Sequence, residues 1–100
     1  MSNHKKKSLT KFQKEISEFE NFIFDAYCGE FNDGVVRNYV TGYLHTLMRV
    51  KQQTYDIVTF NVVCDDTNNT PEVVDDGQLV FDIACIDSNS VRHCFHGVVE

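Results

Sequence analysis

The stretch Tyr55-Asp56-Ile57-Val58-Thr59-Phe60-Asn61-Val62-Val63-Cys64 decides how this chain folds, together with Gln78-Leu79-Val80-Phe81-Asp82-Ile83-Ala84-Cys85-Ile86 downstream of it. Val58, Phe60, Val62 and Cys64 occupy alternate positions, as do Leu79, Phe81, Ile83 and Cys85. A strand turns successive side chains to opposite faces, so this spacing predicts two strands, each with one apolar face. Between them, Asp65, Asp66, Asn68 and Asn69 favour turns closed by their own side chains, Pro71 presets φ, and Gly77 tolerates a positive φ. That composition predicts a loop through which no helix runs.

Upstream the apolar period changes. Leu9, Phe12, Ile16, Phe19, Ile23 and Ala26 recur every three or four residues, which predicts an amphipathic helix. Its start falls at residues 8–10, with Ser8 or Thr10 as cap and Thr10/Gln13 spaced as a capping box; Gly29 is the C-terminal cap. A second helix is expected after Asn32 as N-cap, with Asp33 in its first turn. Val35, Val36, Tyr39, Val40, Tyr43, Leu44, Leu47 and Met48 form its broad apolar stripe. Gly42 interrupts that stripe and predicts close packing against the sheet or the other helix. The polar residues 51–54 then turn the chain into the first strand. Downstream, Asp87-Ser88-Asn89-Ser90 has hairpin-loop length, and residues 91–99 form a third strand. In that strand Val91, His93, Phe95 and Val99 share one face, and Arg92, Cys94, His96 and Val98 the other.

The fold class is therefore α/β in the broad sense, more strictly α+β. Two N-terminal amphipathic helices pack on one face of a roughly three-stranded sheet, which strands from neighbouring subunits could complete. The 100 residues divide into a flexible basic arm over 1–8 and a single domain over 9–100.

The formal net charge is −6, and from Asp56 onward there are nine carboxylate side chains against one cation, Arg92. Phosphate-backbone binding needs clustered Lys and Arg, so nucleic acid is not an expected partner. No apolar run approaches the roughly 20 residues that span a bilayer, and no apolar segment follows Lys5-Lys6-Lys7 as in a secretory leader. Neither a membrane nor secretion is expected. The four cysteines, Cys28, Cys64, Cys85 and Cys94, accordingly read as free thiols in a reducing compartment.

The run Val62-Val63-Cys64-Asp65-Asp66-Thr67-Asn68-Asn69-Thr70-Pro71-Glu72-Val73-Val74-Asp75 resembles a segment of the C-terminal domain of contractile phage tail sheath proteins. That family carries a Val-Cys-Asp segment, then Thr-Asn-Asn-Thr-Pro and a downstream Asp. The likeness extends more weakly over residues 9–98, through Phe22-Ile23-Phe24-Asp25 and Phe31-Asn32-Asp33. Sheath proteins are several times longer, and the last strand here lacks their Pro/Arg-rich approach. The resemblance implies a structural, non-catalytic part of a virion tail, assembled in the host cytoplasm, with sheath, baseplate or tube subunits as partners. It also implies joining by strand exchange, and a chain holding only this domain is expected to start or end the sheath lattice. Partner contacts are then expected at Asp65, Asp66, Asn68 and Asn69 in the loop and at Val91, His93, Phe95 and Val98 in the last strand.

The same residues raise other chemistries. His93, Cys94 and His96, with Cys64 and Cys85, are the one zinc-like cluster, but they lack paired ligand spacing. A Cys94 nucleophile served by His93 or His96 would need an oxyanion hole that nothing supplies. Asp65, Asp66, Asn68 and Asn69 could offer oxygens to calcium, yet no glycine stands at the sixth loop position. No cofactor, metal or catalytic residue is expected. A small cytoplasmic adaptor is the alternative from another class, and a Cys/His metal- or thiol-dependent enzyme a more distant one.

Overall fold

Ser8 begins the first helical turn, its hydroxyl accepting from the Thr10 amide at 3.3 Å. A computed structural model, which describes residues 6–27 and 29–100, shows this turn to be a 3-10 helix, Leu9–Lys11, leading into α1, Gln13–Tyr27. Leu9, Phe12, Ile16, Phe19 and Ile23 are all buried, as the period requires, whereas Ala26 is exposed. Gly29 takes φ +86°, the left-handed conformation expected of a residue ending a helix. Cys28 and residues 1–5 lie outside the described residues, and with them most of the expected arm. Lys6 and Lys7 are held: the Lys7 amide donates to the Thr54 carbonyl at 2.8 Å, and its carbonyl accepts from Asp56 at 3.0 Å.

The second helix, α2, runs Gly34–Thr54 and is capped by Asp33, whose carboxylate accepts from the Val36 amide at 3.0 Å. Asn32 is not the cap, because its side chain is committed elsewhere. Nor do residues 51–54 turn the chain. They continue the helix, and Lys51 uses that position to reach Glu15 on α1 at 2.8 Å. This ion pair is the main cause holding the Glu15 carboxyl below the usual carboxylate range. The buried stripe is narrower than expected: Val36, Val40, Leu44 and Met48 are inside, but Val35 and Tyr39 are more than half exposed. Gly42 is not tightly packed either, since a Cβ there would meet no atom within 4 Å.

The sheet is antiparallel in the order β1 (Thr59–Val63), β2 (Leu79–Ile86), β3 (Arg92–Val99). Register sets Phe60 opposite Cys85 and Val62 opposite Ile83, while Ile83 faces Phe95 and Phe81 faces Gly97. These residues make the inner face, against which α1 lies along β3 and α2 along β1. Val58 does not join it and is exposed. Phe12 stands at the centre, 4.9 Å from Phe95, 5.0 Å from Tyr55 and 5.9 Å from Phe19 between ring centroids. It therefore ties the first helix to the last strand. The fold class is α+β as expected, with helices packed on one face of a three-stranded sheet.

A third helix, α3, spans Pro71–Asp75 inside the segment expected to be purely loop. The reason is local. Thr70 caps it by accepting from the Val73 amide at 3.4 Å, Pro71 occupies the first turn where no N–H is needed, and Glu72 suits the N-terminal dipole.

Candidate assembly surface

β2 is longer than β1, and the segment 64–78 fills the difference. After Val63 pairs with Asp82, the chain leaves the ladder, and Val80 is left without a partner on that side. Asn69 supplies one. Its Oδ1 accepts from the Val80 amide at 2.8 Å and its Nδ2 donates to the Val80 carbonyl at 2.9 Å, as a facing strand residue would. Asn32 donates to the same Oδ1 at 3.1 Å and to the Gln78 carbonyl at 2.9 Å, while Arg37 Nη1 donates to Asn32 Oδ1 at 2.8 Å. Asn68 plugs the end of β1: its Nδ2 donates to the Val63 carbonyl and to Asp82 Oδ2, both at 2.8 Å, and its Oδ1 accepts from the Asp65 amide at 3.0 Å.

This wiring separates the four loop residues nominated from sequence. Asp65 and Asp66 are exposed and Asn68 is half-buried, but Asn69 is only 4% exposed. Asn69 is an internal strut and not a contact for a partner. The Asp65 carboxyl accepts from both the amide and the hydroxyl of Thr67, the hydroxyl bond being the largest influence holding it below the usual range. Asp65 Oδ1, Asn68 Oδ1 and Asn69 Oδ1 are thus used within the fold, which accounts for the Asx-rich composition without a cation.

The nominated residues of the last strand separate as well. Val91 is exposed. His93 is half-buried, with Nε2 2.9 Å from Asp87 Oδ2. Phe95 belongs to the core against Phe12, so the expectation that it meets a partner gives way to a packing role. Val98 is half-buried, and its amide donates to Glu20 Oε2 on α1 at 2.7 Å.

The hairpin closes with the Asp87 amide donating to the Val91 carbonyl at 3.0 Å. In an antiparallel ladder hydrogen-bonding positions alternate, so residues 93, 95, 97 and 99 bond to β2. The N–H and C=O groups of Arg92, Cys94, His96 and Val98 therefore point to the open edge. Glu20 occupies the Val98 position, and Arg92, Cys94 and His96 are exposed.

The Cys/His residues do not converge. Cys64 and Cys85 are buried, and desolvation pushes both thiols up to about 11. His93 and Cys94 sit on opposite faces, and His96 Nδ1 lies 2.6 Å from Asp82 Oδ1. Among the described residues, no three His, Cys, Asp or Glu side chains are placed to hold a metal ion. Neither is any described helix long and apolar enough to cross a membrane.

Two apolar features were not singled out from the sequence. One is a groove of about 270 Å³ at the end of the sheet, lined by Ile23, Phe24, Phe31, Val36, Leu79 and Val99, with Glu30 and Glu100 at its margin. The other is the outward side of α2. Val35 and Tyr39 belong to the apolar stripe expected to pack inward, and only the placement of neighbouring elements leaves them, with Phe31, exposed. No family model matches this chain, and neither does any curated protein or solved structure.

Proposed function

We propose that this chain is a structural component of a contractile phage tail or related injection machine, where it joins sheath, baseplate or tube subunits by main-chain pairing at its sheet edge. The observation that carries the reading is the open edge of β3, where the backbone groups of Arg92, Cys94 and His96 face outward on exposed residues. Such an edge is a template for a strand from another chain. The run 62–75 supports the same reading, because the residues that resemble the sheath family are those that end β1 and brace β2. Asp65 and Asp66, exposed where β1 ends on the opposite side of the sheet from β3, offer a separate acidic contact.

Purified chain mixed with sheath protein from the same genome tests this, by pull-down and negative-stain imaging. Ring-like or end-capped assemblies are the expected result. Cys94→Pro removes an N–H that points away from β2, so the internal ladder survives and the variant stays folded by circular dichroism. It should nonetheless lose sheath binding. Undiminished binding by the folded variant would rule out edge pairing. The groove favours a second reading, an adaptor that accepts an apolar side chain from an unrelated protein. Binding lost in Phe31→Ala but intact in Cys94→Pro would move the function there.

A further inference from the structure

Gly42 stands exposed in the middle of the 21-residue α2, with open space where its Cβ would be. Glycine in a helix interior costs about 1 kcal/mol relative to alanine, and no contact among the described residues requires it. Its neighbours on the same ridge are Val35, Tyr39, Thr46 and Val50, following at intervals of four, three, four and four residues. At about 100° per residue these five lie on one side of the helix, opposite the buried Val40, Leu44 and Met48. Val35 is 62% exposed, Tyr39 64% and Val50 57%. Phe22 of α1, itself exposed, widens the surface by meeting Tyr43 edge-on at 6.3 Å. The spacing is that by which one helix packs on another, and it faces away from the sheet.

We propose that this ridge is the interface of a homodimer, in which α2 packs antiparallel on α2 of a second copy about a two-fold axis beside Gly42. Three observations select a second copy as the occupant. The ridge reads alike in both directions: Val35 and Val50 are equidistant from its midpoint, as are Tyr39 and Thr46, with Gly42 next to the centre. A two-fold interface pairs residue i with j and j with i, and about this midpoint it sets valine on valine and the tyrosine ring over the small threonine. The charges also match. Glu30 and the cap Asp33 precede the helix, where Arg37 is turned inward onto Asn32, while Arg49 lies towards its end with Lys6, whose ammonium donates to the Gln52 carbonyl at 2.7 Å. Antiparallel packing brings acidic end to basic end and opposes the helix dipoles. Finally, glycine at the crossing lets the two backbones approach within or below the usual 8–10 Å between axes, a distance set by the side chains at the contact. The ridge is on the far side of α2 from the sheet, so dimerisation leaves the β3 edge free and is independent of the proposed tail role.

Sedimentation equilibrium of the purified chain tests this, and should give twice the 11.5 kDa mass of one copy. Tyr39→Lys should raise the dimer dissociation constant by about tenfold or more. Gly42→Leu improves helix propensity, so it should stay folded while blocking the crossing and giving a monomer. In a Cys28→Ser/Cys94→Ser background, Gly42→Cys should cross-link to itself on mild oxidation, because only residues beside a two-fold axis meet their own copy. A wild-type monomer at hundreds of micromolar, or a dimer that survives both ridge substitutions, would overturn the proposal. So would a monomer whose ridge variants instead lose sheath binding, which would give the surface to a different partner. Sheath binding and self-association are read separately, so failure of either is recognisable on its own.

Discussion

A side-chain carboxamide presents a donor and an acceptor much as a peptide group does, and Asn69 uses both on Val80. Its removal would leave a buried amide and a buried carbonyl without partners, and each unsatisfied group costs about 1–3 kcal/mol. Asn69→Ala should therefore lower stability by about 2–4 kcal/mol in urea titrations. Asp66→Ala, on an exposed side chain, should change it by less than about 0.5 kcal/mol. Thiol chemistry separates on the same principle. The thiolate is the nucleophile, and burial raises the Cys64 and Cys85 thiols to about 11, so both stay protonated and shielded near pH 8. Iodoacetamide followed by peptide mass spectrometry should find Cys94 labelled in the native protein, with Cys64 and Cys85 labelled only in denaturant.

At the scale of elements, the β2–β3 hairpin is fixed at both ends by single residues. At one end Gly97 lies against the Phe81 ring, and a Cβ there would clash with its Cζ. Phe81 is fully buried and cannot swing away, so Gly97→Ala should destabilise the protein by about 2–4 kcal/mol and lower its melting temperature accordingly. At the other end Asp87 accepts from the Asn89 and Val91 amides and meets His93. The hydrogen bond with His93 is the main cause holding the Asp87 carboxyl below its ordinary value of 3.8. A depressed folded pKa contributes stability that is complete above the unfolded value. It is lost as pH falls through 3.8 and on through the lower folded value. The stability gap between wild type and Asp87→Asn should therefore shrink as pH falls from about 5 towards about 2.

For the whole molecule, the decisive contacts join the two ends of the chain. Phe12 near the start packs its ring tilted against Phe95 near the end, and Glu20 reaches the Val98 amide. Helices and sheet consequently share one core and should unfold together. Far-ultraviolet circular dichroism, reporting helix, and thiol labelling of the buried Cys85, reporting β2, should give coincident urea transitions in wild type. Phe12→Ala should shift both equally, by about 3–5 kcal/mol. A mutant that melted its helices before its sheet would contradict a shared core.

The sequence by itself determined the fold class, the two long helices and the three strands, though not the short α3. Alternation over Phe60-Val62 and Leu79–Cys85 set the strands, the period of Phe12, Ile16, Phe19 and Ile23 set the first helix, and the 87–90 turn set the hairpin. Each follows from spacing along the chain, which is a local property. Only the tertiary structure decided which residues of a stripe reach the core. Val36 and Val40 are buried while Val35 and Tyr39 are not, because α2 rests on β1 along one narrow line. It likewise decided that Asn69 and Phe95 point inward, since that depends on where β1 stops relative to β2 and where α1 lies on β3. Alternation made Phe95 one of two faces but could not say which face meets a helix. Gly42 shows the same limit in reverse: the sequence marks it as costly, and only the arrangement of helices on the sheet leaves it, and the ridge around it, facing outward.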